Sequence, residues 1–150
     1  MMSVRCFDVP RRCALALLLS LAAAPAPALA GPVIEDGWLR AVPPVADSTA
    51  GYFVLRNEGD EDLVLTGFRA DIVEAGEIHT WVEGDQGTRR MKKLEEVNVP
   101  SGDKVRFRSG GKHLMLFRLT GELEPGDHHE LCLQFRDTDE HCAEFEVRRD

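Results

Sequence analysis

A chain of 150 residues in which 26 Asp and Glu outnumber 18 Lys and Arg has a formal charge of −8, and that balance argues against nucleic acid as a partner. The length suits one compact domain. Beyond the N-terminal region no stretch is long and apolar enough to cross a bilayer as a helix.

Residues 1–30 read as a secretory signal. Arg5, Arg11 and Arg12 form a basic start, residues 13–24 are apolar, and Ala28-Leu29-Ala30 fits a signal-peptidase site. Pro25 and Pro27 oppose a buried helix there. The expectation is a mature domain of residues 31–150 in the periplasm, with no cysteine placed for a lipid anchor. Three Arg and one Asp leave with the signal, so 15 basic and 25 acidic residues remain, a net charge of −10. Cys6 and Cys13 leave as well. Cys132 and Cys142 stay, an even pair in a compartment where disulfides persist.

Residues 33–41 contain Trp38-Leu39-Arg40 and run into Pro43-Pro44, a strand stopped by a proline turn. Residues 50–57 are aromatic and β-branched enough to be a second strand, and 63–68 a third. Residues 70–76 read as a connection, and 77–83 as a strand carrying His79 and Trp81. Gly84-Asp85-Gln86-Gly87 is a hairpin turn, from which 89–99 returns as one strand to Pro100-Ser101-Gly102. Residues 104–108 form a further strand. Gly110-Gly111 turns into another at 113–119, and 130–136 with 141–148 form a last hairpin. Short strands with turns every eight to twelve residues indicate a single antiparallel β-sandwich or barrel. In the last hairpin Leu131, Leu133 and Phe135 share one face, as do Ala143, Phe145 and Val147. Cys132 and Cys142 therefore fall together on the other face, placed for a disulfide.

His113 and Met115 stand two apart in a strand and point to one face, with Leu114 and Leu116 on the other. Imidazole with thioether is a soft donor pair that favours Cu(I), and thioethers, unlike thiols, cannot be lost to disulfides in an oxidising compartment. After residue 30 the only methionines are Met91 and Met115, so they are poorly explained as core filler. His79 precedes Met91 by twelve positions and completes a candidate set of His79, Met91, His113 and Met115. Trp81 shares a face with His79 in a regular strand. It is either a shield over bound metal or an aromatic packed over the sheet edge. His128 and His129 are adjacent and so point to opposite faces, which gives them a turn-side surface role; His141 faces solvent. There is no zinc-peptidase motif and no nucleophile elbow. Neither cysteine lies in the Cys-His-Met run of a blue-copper site.

The spacing of Met91, 21 residues, then His113-x-Met115 resembles the motif of the periplasmic copper chaperones called PCuAC. Gly110-Gly111-x-His113-x-Met115-Leu116, Trp38-x-Arg40 followed by Pro-Pro, Tyr52 with Asn57, and Ile78-His79 extend the similarity over nearly all of residues 31–147. The resemblance implies a cupredoxin-like or immunoglobulin-like β-sandwich holding one Cu(I) as cargo through two His and two Met. The leading expectation is therefore a monomeric carrier, not an enzyme. The partner would be a copper-accepting envelope protein in the assembly of cytochrome oxidase copper centres. One departure bears on the site: eleven residues separate His79 from Met91, where the family has ten. An extra residue inside a strand would turn Met91 to the wrong face unless the loop at 84–88 or a bulge absorbs it. Two rival readings are a sandwich-type adhesion or assembly module with an incidental His/Met cluster, and a copper enzyme with an open coordination position.

Overall fold

Apolar side chains recur at every second position through most of the chain, and the backbone follows that period. The computed structural model describes residues 31–149; the expected signal, residues 1–30, lies outside the described residues. Ten strands form: β1 Pro32–Arg40, β2 Ser48–Asn57, β3 Leu63–Ala70, β4 Val73–Glu83, β5 Arg89–Leu94, β6 Val97–Val99, β7 Lys104–Phe107, β8 His113–Leu119, β9 His128–Phe135 and β10 His141–Arg148. The one helical element among the described residues is a 3-10 turn, Asp85–Gly87.

The strands hydrogen-bond in the order β5-β4-β8-β2-β1-β10-β9-β3-β6, and β7 pairs the C-terminal half of β2. The path curls so that its two ends pack on each other: Phe68 of β3 lies against Gly76 of β4. The result is an all-β sandwich, as the strand pattern indicates. Its core contains Leu55, Leu65, Phe68, Ile78, Leu114 and Leu131. Phe53 binds the halves together, stacked on Phe107 at 4.2 Å and edge-on to Phe145 at 5.7 Å. Asn57, fully buried, ties the end of β2 to β6. Its amide donates to the carbonyls of Glu61 (2.7 Å) and Val99 (2.9 Å) and its oxygen accepts from the Gly59 N–H (3.0 Å).

Three features depart from the sequence reading. Residues 70–76 are not a connection: β3 runs to Ala70 and β4 starts at Val73, because Val73, Ala75 and Gly76 pair with β8. Residues 89–99 are two strands. The chain leaves β4 after Leu94, passes Glu95 and Glu96, and joins β3 across the sandwich as β6. One strand pair is parallel, β1 with β10, following a bulge between Glu35 and Trp38 where Asp36 takes a φ of 50°. Asp tolerates that left-handed backbone better than most residues.

Cys132 and Cys142 sit directly opposite each other on β9 and β10 and are joined by a disulfide, as their faces predict. The bond closes a sequence separation of 10. Replacing both cysteines by serine should therefore lower the free energy of unfolding in urea by about 2–3 kcal/mol. A Cβ at Gly76 would come within 2.5 Å of the Phe68 ring. Gly76→Ala should cost about 1–3 kcal/mol in the same measurement, and Phe68→Leu in that background should recover part of it.

Candidate metal centre

Strand pairing, not loop placement, brings the candidate residues together. His79 of β4 is directly opposite His113 of β8, and Met115 has Glu77 of β4 on one side and Ala50 of β2 on the other. Trp81 is directly opposite Met91 of β5. Paired residues share a face, so His79, Trp81, Met91, His113 and Met115 all stand on the outer face of the sheet. The intervening Ile78, Leu114 and Leu116 are buried on the inner one. The eleven-residue spacing does not turn Met91 away. The surplus is taken up between Glu83 and Arg89, which remain paired. Within that loop Gln86 and Gly87 adopt φ of 61° and 74°, and the Gly84 N–H closes on the Thr88 carbonyl at 2.6 Å.

The face carries a concavity of about 330 Å³, lined among others by Arg40, Tyr52, Trp81, Met91, His113 and Met115. His79 is not part of its lining. It stands beside His113, ring centres 6.0 Å apart and planes at 71°. A larger hollow of about 830 Å³ between the loops at 41–44 and 122–125 offers carboxylates but no imidazole or thioether.

Both imidazoles are held by one nitrogen and leave the other bare. His113, 4 % exposed, donates from Nδ1 to the Gly111 carbonyl at 2.9 Å, which leaves Nε2 with its lone pair. Burial pushes the His113 pKa down, opposed by the Gly111 carbonyl, so the ring is neutral at physiological pH. His79 donates from Nε2 to the Glu77 carboxylate at 2.7 Å, and its Nδ1 is buried without a hydrogen-bond partner. The same contact holds the Glu77 carboxyl below its usual range, with Lys93 adding to it at 3.3 Å. A buried ring nitrogen without a partner is costly unless something occupies it. Two imidazoles, each with one nitrogen outside any hydrogen bond, and two thioethers share this face, and donors of these types are soft enough to suit Cu(I).

Met91 and Trp81 are 46 % and 36 % exposed, so the mouth is open on the β5 side. The Arg89 guanidinium lies 5.4 Å over the Trp81 ring. Arg40 lies 5.4 Å over the Tyr52 ring, and Tyr52 in turn packs on Trp38 with ring centres 4.5 Å apart.

The other histidines stand apart from this face. His128 and His141 are exposed. His129 is not a turn residue: β9 begins at His128, and His129 pairs with Phe145 on the core side, its Nε2 buried without a partner. Glu130 lies with Cys132 and Cys142, but the two sulfurs are bonded to each other and so are not ligands. Glu77 escaped the sequence reading, although its place two residues before His79 in a strand puts it on the same face.

The copper-bound PCuAC domain from PmoF2 has a similar fold, with a TM-score of 0.68 at 20% identity, covering 82% of this chain and 97% of that one. The Cu(I) form of DR1885 from Deinococcus radiodurans is similar with a TM-score of 0.65 at 25% identity, covering 83% of each chain. The uncharacterized protein RP573 of Rickettsia prowazekii is 29% identical over 104 residues, which is 69% of this chain and 57% of its own length. The family model described as "Putative lipoprotein LpqE-like" matches residues 33–147, and the chain belongs to that family.

Proposed function

We propose that the chain is a copper carrier of the cell envelope that binds one Cu(I) through His79, Met91, His113 and Met115 and passes it on by ligand exchange. The observation that carries this reading is the pair of cross-strand imidazoles. Each has one nitrogen engaged and one bare, and both share a face with the only two methionines beyond residue 30. The copper-bound PCuAC neighbours, similar in fold, and the lipoprotein description of the family agree with an envelope carrier. Among the described residues no helix is long and apolar enough to cross a membrane.

The donor set supports delivery better than storage. Thioethers and neutral imidazoles hold Cu(I) without the strength of thiolates, so an acceptor's ligands can replace them stepwise. Exchange would start at Met91, the exposed donor, while His113 and His79 remain held by Gly111 and Glu77. The acceptor is a protein of cytochrome oxidase copper-centre assembly in this proposal, and the exchange is not enzymatic.

Anaerobic titration of residues 31–150 with Cu(I) or Ag(I) against a competing chelator should give one equivalent bound. His113→Ala and Met115→Ala should each weaken binding by more than about tenfold, and Met91→Ala and His79→Ala should also weaken it. Glu77→Ala should cost about tenfold by freeing the His79 ring, with the fold unchanged by circular dichroism. Undiminished binding by a Met91→Ala/Met115→Ala variant would refute the site and return the reading to an adhesion or assembly module.

Trp81 is proposed as the shield of the bound ion, competing with Arg89 for the same ring. Ag(I) should change tryptophan fluorescence in proportion to occupancy. Trp81→Phe should keep the binding and lose most of the response, and Trp38→Phe should keep both. A response that follows Trp38 would place the metal elsewhere on the sheet.

A further inference from the structure

Charge is distributed unevenly around this mouth. Residues 89–112 carry eight basic and three acidic side chains, net +5, whereas the rest of the chain from residue 31 carries seven basic and 22 acidic, net −15. The two groups of basic residues also differ in their partners. Outside the segment Arg56, Arg69, Arg118, Arg136 and Arg148 are each held by a carboxylate. Inside it Lys93 alone has an ion pair among the described residues, with Glu77.

Three of the cations without an ion pair lie on or beside the face of the site. Arg106 is opposite Val54, and so on the face that carries Ala50 and Tyr52 beside the candidate ligands. Arg108 packs against Gly111 in the turn before β8. Arg89 donates to the Gly110 carbonyl at 2.9 Å, and Gly110 lines the concavity. On the same face stand Trp81, under the Arg89 guanidinium, and Met91, two of the three exposed large apolar side chains among the described residues. Charges on β5 alone would be ordinary protection of an edge strand. Arg106 is on β7, whose one strand partner among the described residues is β2, so it is on an edge as well; Arg108, in the turn before β8, is on neither edge strand. Exposed Trp and Met with arginines on the same face have the composition of a protein docking face.

We infer that the mouth of the site is a docking face for an acidic acceptor protein whose carboxylates surround the group that receives the metal. The inference rests on reading the site as a metal-transfer site and adds the chemistry of the partner. The acidic remainder of the chain repels such a partner, and the basic rim attracts it, so encounters are steered mouth to mouth.

The test uses the metal-free chain and two labelled peptides, each with two methionines, one in a run of glutamates and the other in a run of lysines. By fluorescence anisotropy the glutamate peptide should bind, with affinity falling steeply as salt rises, and the lysine peptide should not. Arg106→Glu/Arg108→Glu should weaken binding about tenfold. Arg69→Glu/Arg136→Glu, the same charge change on the other half of the sandwich, should leave it unchanged. Arg89→Glu, on the same face as Met91 and Trp81, serves if the first variant does not fold. Equal binding of the two peptides, or equal loss in the control variant, would overturn the docking face. Binding to phosphatidylglycerol vesicles without binding to the glutamate peptide would overturn it too, and assign the rim to a membrane. An Ag(I) titration of the same proteins separates the two readings: peptide binding without Ag(I) binding ends the carrier proposal and leaves the docking face.

Discussion

The register between β4 and β8 is the constraint on which the site depends. Ile78 faces Leu114 across the pair, both buried, and His79 faces His113 on the reverse side. A slip of one residue would send Ile78 outward and His79 into the core. Burying an isoleucine is worth about 1.5–3 kcal/mol, and leaving a buried imidazole unpaired costs about 1–3 kcal/mol more, so the slipped pairing is strongly disfavoured. Apolar packing on one face thus fixes imidazole geometry on the other, before any ligand is present. Met115 and Met91 are carried by the same ladder, one through β8 itself and the other through the β4–β5 hairpin.

Much of this was legible in the sequence because it follows from a period of two. His113 and Met115 on one face, Trp81 with His79, and Cys132 opposite Cys142 all needed only strand alternation and a turn position. The resemblance to PCuAC holds at the level of the fold. What alternation does not encode is where a strand stops pairing with one neighbour and starts with another. Residues 89–99 carry no Gly or Pro to mark the crossing from β4 to β3, and Glu95-Glu96, where it occurs, are two polar residues among several. Nothing in residues 70–76 marks the start of β4, and Gly76 lies within the strand, where its missing side chain makes room for Phe68. The loop at 84–88 decided whether Met91 faced the site. Its outcome depended on positive φ at Gln86, a residue with no special preference for it.

The two kinds of donor are also supported differently. Each imidazole is anchored through one nitrogen, to Gly111 or to Glu77, which holds the ring and sets its tautomer. Thioethers accept hydrogen bonds weakly, and their positions are set by packing alone. Met115 lies between Ala50 and Glu77 within the sheet, whereas Met91 stands on the edge strand with nearly half its surface in solvent. The donor set therefore runs from a fixed imidazole pair to a free thioether at the rim. An ion bound across it would be held most rigidly at the end remote from an approaching acceptor and most loosely at the near end. In the proposed carrier that gradient would let an incoming ligand exchange with the edge donor first, without disturbing the register that holds the rest. Since both methionines and the His113 Nε2 are uncharged, no buried charge is left behind when the ion departs.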